Sequence, residues 1–248
     1  MERDVIEMLY RMIEGRKVVT KEEIARKIIR AHLVVLGKEA RSLTERKVSN
    51  FVNNLFEEFI KIKNLQFVNI EKDGISFYVR EKSLVELEDF KISLVEYEKS
   101  KKFFNSLHVM RAVTDSFFED YEVDDGEYIR RYVSGDKIYN VVYSLIEDVY
   151  EDFEVHKKLS RSFNGIYTIV VPTEKKIDPF LDFYSQYSEE AKRERIRIWV
   201  VNTVEKSVDP FIGYPNDLRL VKKFKNPKLA SIMSSLWRTK VDEESWKD

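Results

Sequence analysis

Cysteine is absent from the 248-residue sequence, and histidine occurs at only three isolated positions, His32, His108 and His156. The lack of cysteine excludes a disulfide scaffold, a thiolate nucleophile, and zinc or iron-sulfur centres held by cysteine. Three scattered histidines do not indicate a histidine-rich metal site. We therefore expect no bound metal and no cofactor.

Long apolar runs are also missing. No segment is long and apolar enough to cross a membrane as a helix, and the N-terminal residues lack the apolar core of a signal peptide. Glycine and proline are scarce, at 7 and 5 residues, while 43% of the chain is hydrophobic and 35% is charged, so the protein is neither disordered nor fibrous. We expect a folded cytoplasmic protein of one large or two modest domains, with no membrane partner.

Glutamine occurs only at Gln66 and Gln186, whereas Lys, Glu, Ile, Val and Tyr are abundant. This composition is typical of heat-adapted proteins, and an AT-rich genome produces a similar bias. We expect the source to be a thermophilic archaeon, or a virus or plasmid of one.

The formal net charge of -1 hides an uneven distribution of charge along the chain. Residues 1–85 have 17 basic and 13 acidic side chains, residues 86–156 have 8 and 18, and residues 157–248 have 18 and 13. The chain is therefore divided into basic, acidic and basic thirds. Any affinity for a polyanion is expected to be local to particular faces.

The first third has the apolar spacing of three helices. The first helix runs from about Val5 to Ile13 and stops at Gly15, which is typical of a helix C-terminus. Thr20 and Glu23 form the capping-box pattern that opens a second helix.

Thr44 is the expected N-cap of the third helix. Its apolar stripe consists of Val48, Val52, Leu55, Phe59 and Ile62. After Asn64 the apolar residues alternate over residues 65–70 and again over 75–79, on either side of the turn residues Lys72-Asp73-Gly74. This pattern predicts a β-hairpin.

A polar face lies opposite the stripe of the third helix at about 100° per residue. It consists of Arg46, Lys47, Asn50, Asn53 and Asn54. Arg, Lys and Asn side chains contact phosphates and pair with base edges in DNA grooves. Arg41 and Ser42, before the helix, and Lys72, in the hairpin turn, are placed to hold the DNA backbone.

Three helices followed by a hairpin, with this polar face on the third helix, resemble the winged-helix DNA-binding family. The resemblance covers about residues 2–82 and depends on element order and pattern. It implies that the third helix enters a groove of double-stranded DNA.

Residues 86–156 are predicted to form an acidic helical segment. One apolar stripe extends from Phe103 to Phe117 and another from Ile138 to Val149, both at helical spacing. We expect this segment either to dimerise or to form the helical layer of the following domain.

Residues 157–248 alternate between strand and helix patterns. Apolar runs at Ile166–Val171 and Ile196–Val201 flank a helical pattern over residues 178–192, which predicts a parallel strand–helix–strand unit. A third strand is predicted over Leu218–Val221, and a last helix from Asn226 to about Arg238.

Two similar segments recur in this third, each with an Asp-Pro pair. Asp178-Pro179 and Asp209-Pro210 are both expected to open a helix, because Asp caps helices and Pro is tolerated at their first position.

Three groups of residues suggest an enzyme or a ligand-binding site. Asp152 with Glu174-Lys175-Lys176 matches the residue types of magnesium-dependent nucleases, although a charged loop after the strand explains the same residues. His156-Lys157-Lys158 resembles the start of the phospholipase-D-like motif, but this sequence lacks the aspartate that the motif requires. We therefore expect His156 to be a partly exposed helix-end residue. The strand ends at Thr173 and Thr203 lie where open sheets bind small molecules.

Basic residues are also clustered near the end of the chain. The cluster consists of Arg219, Lys222, Lys223, Lys225 and Lys228. It provides either a second nucleic-acid surface or a docking surface for the acidic middle segment.

The sequence therefore predicts an α+β protein. Its parts are a winged helix over residues 1–85 and a second domain over 86–248, comprising acidic helices 86–156 and an α/β unit 157–248. The predicted function is DNA binding as a transcriptional regulator or a replication or mobile-element factor, with a C-terminal domain that forms a homodimer or binds a protein partner. The alternatives are an assembly module that does not bind DNA and a magnesium-dependent nuclease. We assign no catalytic residue.

Overall fold

A computed structural model describes residues 2–63, 65–81, 83–124, 126–174 and 176–228. These residues form two compact units of mixed α and β structure. The first contains the described residues up to Asn105 together with Gly126–Tyr128, and the second contains the rest. The α+β class is therefore confirmed. No helix in the described ranges is long and apolar enough to span a membrane.

The first unit begins with three helices and includes a small sheet. Its elements in chain order are α1 (Glu2–Ile13), β1 (Val18–Thr20), α2 (Lys21–Leu36), a 3₁₀ helix (Gly37–Ser42), α3 (Glu45–Lys63), β2 (Phe67–Lys72), β3 (Ile75–Arg80) and the first part of α4 (Leu87–Phe117). The strands pair antiparallel in the order β1-β3-β2. The predicted hairpin is confirmed as β2 and β3.

The apolar stripes predicted for the three helices form the core of this unit. Val5, Leu9 and Ile13 of α1 are buried, as are Val48, Val52, Leu55 and Phe59 of α3. Phe56 stacks on Tyr78 of β3, with ring centroids 4.0 Å apart, and also contacts Phe67 of β2. The hairpin is therefore fixed against α3 by aromatic packing.

Thr20 caps α2 as predicted. Its hydroxyl accepts a hydrogen bond from the Glu23 backbone N–H at 3.2 Å. This bond satisfies one of the helix N–H groups that have no partner within the helix.

A buried ionic cluster joins α2 to the first half of α4. Arg26 is 2% exposed and contacts the Glu96 carboxylate at 2.7 Å, and its Nε donates to the Ser100 hydroxyl at 3.0 Å. Arg16 pairs with the fully buried Glu23 at 2.8 Å. Buried charges require such partners, so this cluster fixes the position of α4 within the first unit.

The second unit is built around a six-stranded sheet. Its strands are β4 (Glu122–Asp124), β5 (Ile129–Ser134), β6 (Lys137–Tyr143), β7 (Ile166–Pro172), β8 (Arg197–Asn202) and β9 (Ser207–Ile212). Its helices, besides the end of α4, are α5 (Ile146–Glu151), α6 (Phe153–Ser162), α7 (Asp178–Arg193) and α8 (Leu218–Lys223). The strand order follows the sequence from β4 to β9, and β6, β7 and β8 are parallel while the other pairs are antiparallel.

Helices cover both faces of this sheet. On one face, Phe118 stacks on Tyr132 with ring centroids 4.2 Å apart and contacts Trp199. On the other face, Phe183 of α7 packs near Phe211 of β9. Because β6, β7 and β8 are covered on both sides, their residues are nearly all buried.

The prediction that residues 86–156 are helical is wrong for the second half of this segment. Residues 129–134 and 137–143 are the paired strands β5 and β6, and only Ile146–Glu151 and the start of α6 are helical after them. Residues 139–143 are all buried, so they lack the polar alternation that would mark a strand. Their apolar positions also matched helical spacing, and periodicity alone does not separate these two cases.

The strand–helix–strand unit of the last third is confirmed as β7, α7 and parallel β8. Asp178 and Pro179 lie in the first turn of α7, as predicted, but the N-cap residue is Ile177 and not Asp178. The second Asp-Pro pair does not open a helix, because Asp209 and Pro210 lie within β9. Strand β9 is at the edge of the sheet, next to a register shift in β8, where a proline without an N–H is tolerated.

Two further predictions concern the end of the chain, a strand over Leu218–Val221 and a helix from Asn226, and the structure tests only the first. Residues 218–223, predicted to include a strand, form the helix α8, which Asp217 caps by accepting from the Arg219 backbone N–H at 2.9 Å. An N-terminal cap of this kind favours a helix. The helix predicted from Asn226 to Arg238 lies largely outside the described residues.

Asp217 also connects three parts of the second unit. Its carboxylate is 3% exposed and accepts from the Tyr121 hydroxyl at 2.8 Å, the Lys137 ammonium at 3.0 Å and the Arg219 guanidinium at 2.8 Å. The hydrogen bonds from Arg219 hold the pKa of Asp217 well below its usual value. The ionised carboxylate is therefore favoured in the folded state.

We expect Asp217→Asn to destabilise the protein by about 2 kcal/mol at neutral pH, because hydrogen bonds to a charged group are lost or weakened. A lowered folded-state pKa adds stability above the unfolded value near 4, and this stability is lost as the pH falls. The difference between wild type and variant should therefore be constant from pH 5 to 8 and shrink below about pH 4. Urea unfolding at a series of pH values measures it, and a difference that grows in acid would contradict the assignment.

Candidate nucleic-acid interface

Helix α3 presents the predicted polar face to solvent. The helix starts directly after Thr44, whose hydroxyl accepts from the Lys47 backbone N–H at 3.2 Å. The buried stripe on the opposite side holds the helix in the core, so the polar face is directed outward. Its exposed residues are Arg46, Lys47, Asn50, Asn53 and Asn54.

Four of these five side chains have no partner among the described residues. In the part of the protein that the structure describes, Arg46, Asn50, Asn53 and Asn54 make no side-chain hydrogen bond or ion pair. Lys47 Nζ donates to the Ser42 carbonyl at 2.6 Å. A row of exposed donors without internal partners is the arrangement that contacts to phosphates and bases require.

The residues before α3 make contacts within the chain that the sequence did not predict. Ser42 ends the 3₁₀ helix, is exposed, and its hydroxyl donates to the Glu39 carbonyl at 3.1 Å. Arg41 is only half-exposed and has an interaction of its own within the chain. These two residues are near the start of α3, but their polar groups already have structural roles.

Lys72 is the last residue of β2, next to the turn that joins β2 to β3. It is exposed, and among the described residues its ammonium has no ion pair. Lys72 therefore lies beside the hairpin turn, as predicted.

Acidic residues limit the extent of this face. In the second half of α3, Glu58 pairs with Lys61 at 2.7 Å, and Glu57 is exposed. At the start of α3, the Glu45 backbone N–H donates to the carboxylate of Glu127. No local pattern in the sequence indicates this contact, because Glu127 is 82 residues away along the chain. The basic and amide-bearing part of α3 therefore lies between acidic groups at its two ends.

A cavity of about 590 Å³ lies beside α3, within the first unit. Its apolar wall includes Val5, Ile6, Leu36, Leu43, Phe51 and Leu55. The polar residues that α3 contributes to it are Lys47, Asn50, Asn54 and Glu58. Three of the five residues of the predicted DNA-contacting face therefore line the cavity, while Arg46 and Asn53 do not.

The basic cluster near the end of the chain is largely neutralised by acidic residues. Lys223 Nζ contacts Glu119 at 2.9 Å and Asp120 at 3.1 Å, which belong to the acidic middle segment. Arg219 pairs with Asp217 at 2.8 Å, and Lys225 pairs with Glu205. The docking interpretation of this cluster therefore holds for Lys223, whereas Lys222 and Lys228 are exposed and have no ion pair among the described residues.

Lys175 lies outside the described residues, and the other residues of the enzyme interpretations are not gathered into a metal site. In the described ranges, no three His, Asp or Glu side chains lie close enough together to hold a metal ion. His156 is 5% exposed, in contrast to the prediction of a partly exposed residue, and its Nδ1 is 2.8 Å from the Tyr167 hydroxyl. Helix α6 presents His156 to the buried strand β7, so this histidine has a structural partner.

Comparisons with known proteins match both units. Residues 96–226 match the family model described as a domain of unknown function (DUF6834), C-terminal domain. Residues 4–92 match a second model, described as a domain of unknown function (DUF6846). A search of curated proteins found no match. The first range includes the six-stranded sheet, and the second includes α1, α2, α3 and the hairpin.

Proposed function

This chain belongs to the family described as the DUF6834 C-terminal domain, and we propose that it binds double-stranded DNA through a winged helix formed by its first unit. In this proposal α3 is the recognition helix and the β2–β3 hairpin is the wing. The observation that carries the proposal is an exposed polar face on which, among the described residues, only the Lys47 side chain has a hydrogen-bond partner, the Ser42 backbone carbonyl. The face consists of Arg46, Lys47, Asn50, Asn53 and Asn54.

The residue types on this face suit a division of roles. Arg46 and Lys47 lie in the first turn of α3, where backbone N–H groups and the helix dipole also favour a phosphate or a base edge. Asn50 and Asn54 lie one turn apart further along, and Asn pairs bidentately with adenine. Arg and Lys would supply most of the affinity, and the asparagines would supply sequence preference.

The second unit is the proposed dimerisation or partner-binding part of a transcriptional regulator, or of a replication or mobile-element factor. We propose that the protein acts in the cytoplasm of a thermophilic archaeon, or in one of its viruses or plasmids. The paired cations of the second unit favour protein contacts and not a second DNA surface, because Arg219 is already paired with Asp217 and Lys223 with Glu119.

A salt titration tests the proposal. Fluorescence anisotropy of a labelled duplex, measured with the full chain from 50 to 300 mM salt, should give an affinity that falls with a log–log slope of about -3, since about three phosphates are neutralised. An affinity that does not change with salt, or no binding at the lowest salt, would contradict DNA binding.

A protein-assembly module is the second candidate, and the exposed side of β2 favours it. Val68 and Ile70 are 50% and 43% exposed on this edge strand. Apolar side chains on a sheet edge are typical of protein contacts. This candidate predicts self-association or partner binding that persists at high salt, together with no duplex binding in the titration.

Replacement of Lys72 by alanine tests the wing. We expect the affinity to fall several-fold and by the same factor on different duplexes, with the salt slope reduced by about 1, because a phosphate contact carries no sequence information. Lys91→Ala is the matched control, since Lys91 is an exposed lysine on α4 that pairs with Glu88. A loss that depends on the duplex sequence, or an equal loss in the control, would show that Lys72 does not contact phosphate.

A further inference from the structure

The cavity beside α3 has the size and lining of a small-molecule site. Its volume of about 590 Å³ is within the range of ligand pockets, which are typically apolar with a few polar groups that fix orientation. Helices α1 and α2 and the 3₁₀ helix provide most of the apolar wall. The polar groups of α3 lie at its border, where they also face solvent.

The charges along the cavity point to one chemical class of ligand. Lys47 is near the start of α3, and its ammonium is held at the border by the Ser42 carbonyl at 2.6 Å. Glu58 lies eleven residues further along α3, about 16 Å away at 1.5 Å per residue. Glu58 is already paired with Lys61 at 2.7 Å, so Lys47 provides the charge that is left for a ligand. An elongated ligand is therefore favoured with its anionic end at Lys47 and its uncharged end toward Glu58.

The polar groups near Lys47 fit a single carboxylate. Asn50 and Asn54 follow Lys47 along the cavity and provide amide donors. One lysine and two amides match one negative charge better than a phosphate ester, which proteins usually hold with arginine forks or several backbone N–H groups. The apolar wall, with Leu36, Phe51 and Leu55, suits a hydrocarbon chain or an aromatic body.

We propose that this cavity binds an amphipathic monocarboxylate, such as a medium-chain fatty acid, and that the bound ligand releases DNA. This regulatory role rests on the proposed function, because Lys47, Asn50 and Asn54 are assigned both to the cavity and to the DNA. A carboxylate at Lys47 neutralises a charge that the phosphate backbone uses. The ligand and the duplex therefore weaken each other's binding by the same factor.

Binding is tested first on the full chain without DNA. Calorimetric titration with decanoate should show saturable binding at one site, whereas decylamine, which has the same chain and the opposite charge, should not bind there. Lys47→Met keeps an apolar side chain and removes the ammonium, so it should weaken decanoate binding at least tenfold. Leu36→Trp fills the wall at a half-exposed position and should abolish binding. Equal binding of the amine and the acid, or unchanged binding in both variants, would overturn the ligand assignment.

The second arm measures DNA release. With labelled duplex, saturating decanoate should lower the affinity of the wild type about tenfold, which is within the usual range of coupling between sites. Leu36→Trp should bind duplex like wild type and not respond to decanoate. An equal response in this variant would mean that decanoate acts as a detergent, and it would overturn the regulatory role. Decanoate binding without any duplex binding would contradict the proposed function and leave the cavity assignment intact.

Discussion

The double variant Arg46→Ala/Lys47→Ala is expected to bind duplex DNA roughly 100-fold more weakly than wild type at the same salt, since each contact contributes about 1 to 3 kcal/mol. Both side chains are exposed, and neither supports the core. Alanine is the residue that best favours a helix, so α3 should remain folded. The loss would then report contacts to DNA and not unfolding.

The salt dependence sharpens this prediction. Removal of two phosphate-neutralising cations should reduce the log–log slope by about 1.8, and circular dichroism should show unchanged helix content. A double variant with Lys91→Ala and Lys101→Ala is the matched control, because both lysines are exposed on α4. If Arg46→Ala/Lys47→Ala binds duplex as well as wild type, α3 is not the recognition helix. If the control loses as much affinity, binding depends only on total charge.

Local signals explain why the elements of the first unit could be predicted. The stripes of α1, α2 and α3 repeat every three to four residues, and the Thr20–Glu23 box and the Thr44 cap mark two helix starts. Strand β1 was missed, because Val18–Thr20 is too short to show alternation. It is a strand only through its pairing with β3, about sixty residues later.

The second unit was harder to predict, because burial on both faces removes the sequence signal of a strand. Tyr139 to Tyr143 are all buried, and apolar residues on both sides of β6 imitate helical spacing. The parallel strands β7 and β8 have the same burial, but short apolar runs ending at Pro172 and Asn202 showed their limits. Strand β9 includes Asp209-Pro210, a pair that signals a helix start in most contexts. Proline is tolerated in this strand because β9 lies at the edge of the sheet.

The candidate site shows the same division between local and distant contacts. The outward face of α3 follows from helical spacing within one element, so Arg46, Asn50, Asn53 and Asn54 could be predicted to be exposed. The cavity beside α3 needs walls from α1, α2 and the 3₁₀ helix. Glu127 reaches the start of α3 from a distant loop. Neither the cavity nor the Glu127 contact produces a local sequence pattern, because both depend on how separate elements pack.

Gly165 is the position where a single methyl group is expected to cost the most stability. Its φ is +102°, and an added Cβ would lie 2.6 Å from the carbonyl oxygen and 2.7 Å from the Cβ of Ile138. Ile138 belongs to β6, which pairs in parallel with β7 directly after Gly165. The Asn140 side chain also donates to the Asn164 carbonyl at 2.8 Å, so the loop is held against β6 and has little freedom to move away.

We expect Gly165→Ala to destabilise the second unit by about 3 to 4 kcal/mol, because a backbone clash adds to the strain of a left-handed residue. Two other glycines separate these contributions. Gly135 has a φ of +61° with nothing within 4 Å of an added Cβ, so Gly135→Ala should cost about 1 kcal/mol from backbone strain alone. Gly15 has neither a positive φ nor a near neighbour, so Gly15→Ala should be neutral or stabilise by about 0.5 kcal/mol.

Urea unfolding of the second unit is followed by tryptophan fluorescence, since all three tryptophans lie in the last third of the sequence, and unfolding of the first unit, which contains Gly15, is followed by circular dichroism. The order of stability should be Gly15→Ala, then Gly135→Ala, then Gly165→Ala, with equal denaturant slopes. Gly165→Ala and Gly135→Ala share the conformational strain, so the difference between them isolates the contact with Ile138. Equal losses at these two positions would mean that the loop before β7 relaxes around the methyl group, and that the close approach of Gly165 to β6 does not constrain the sheet.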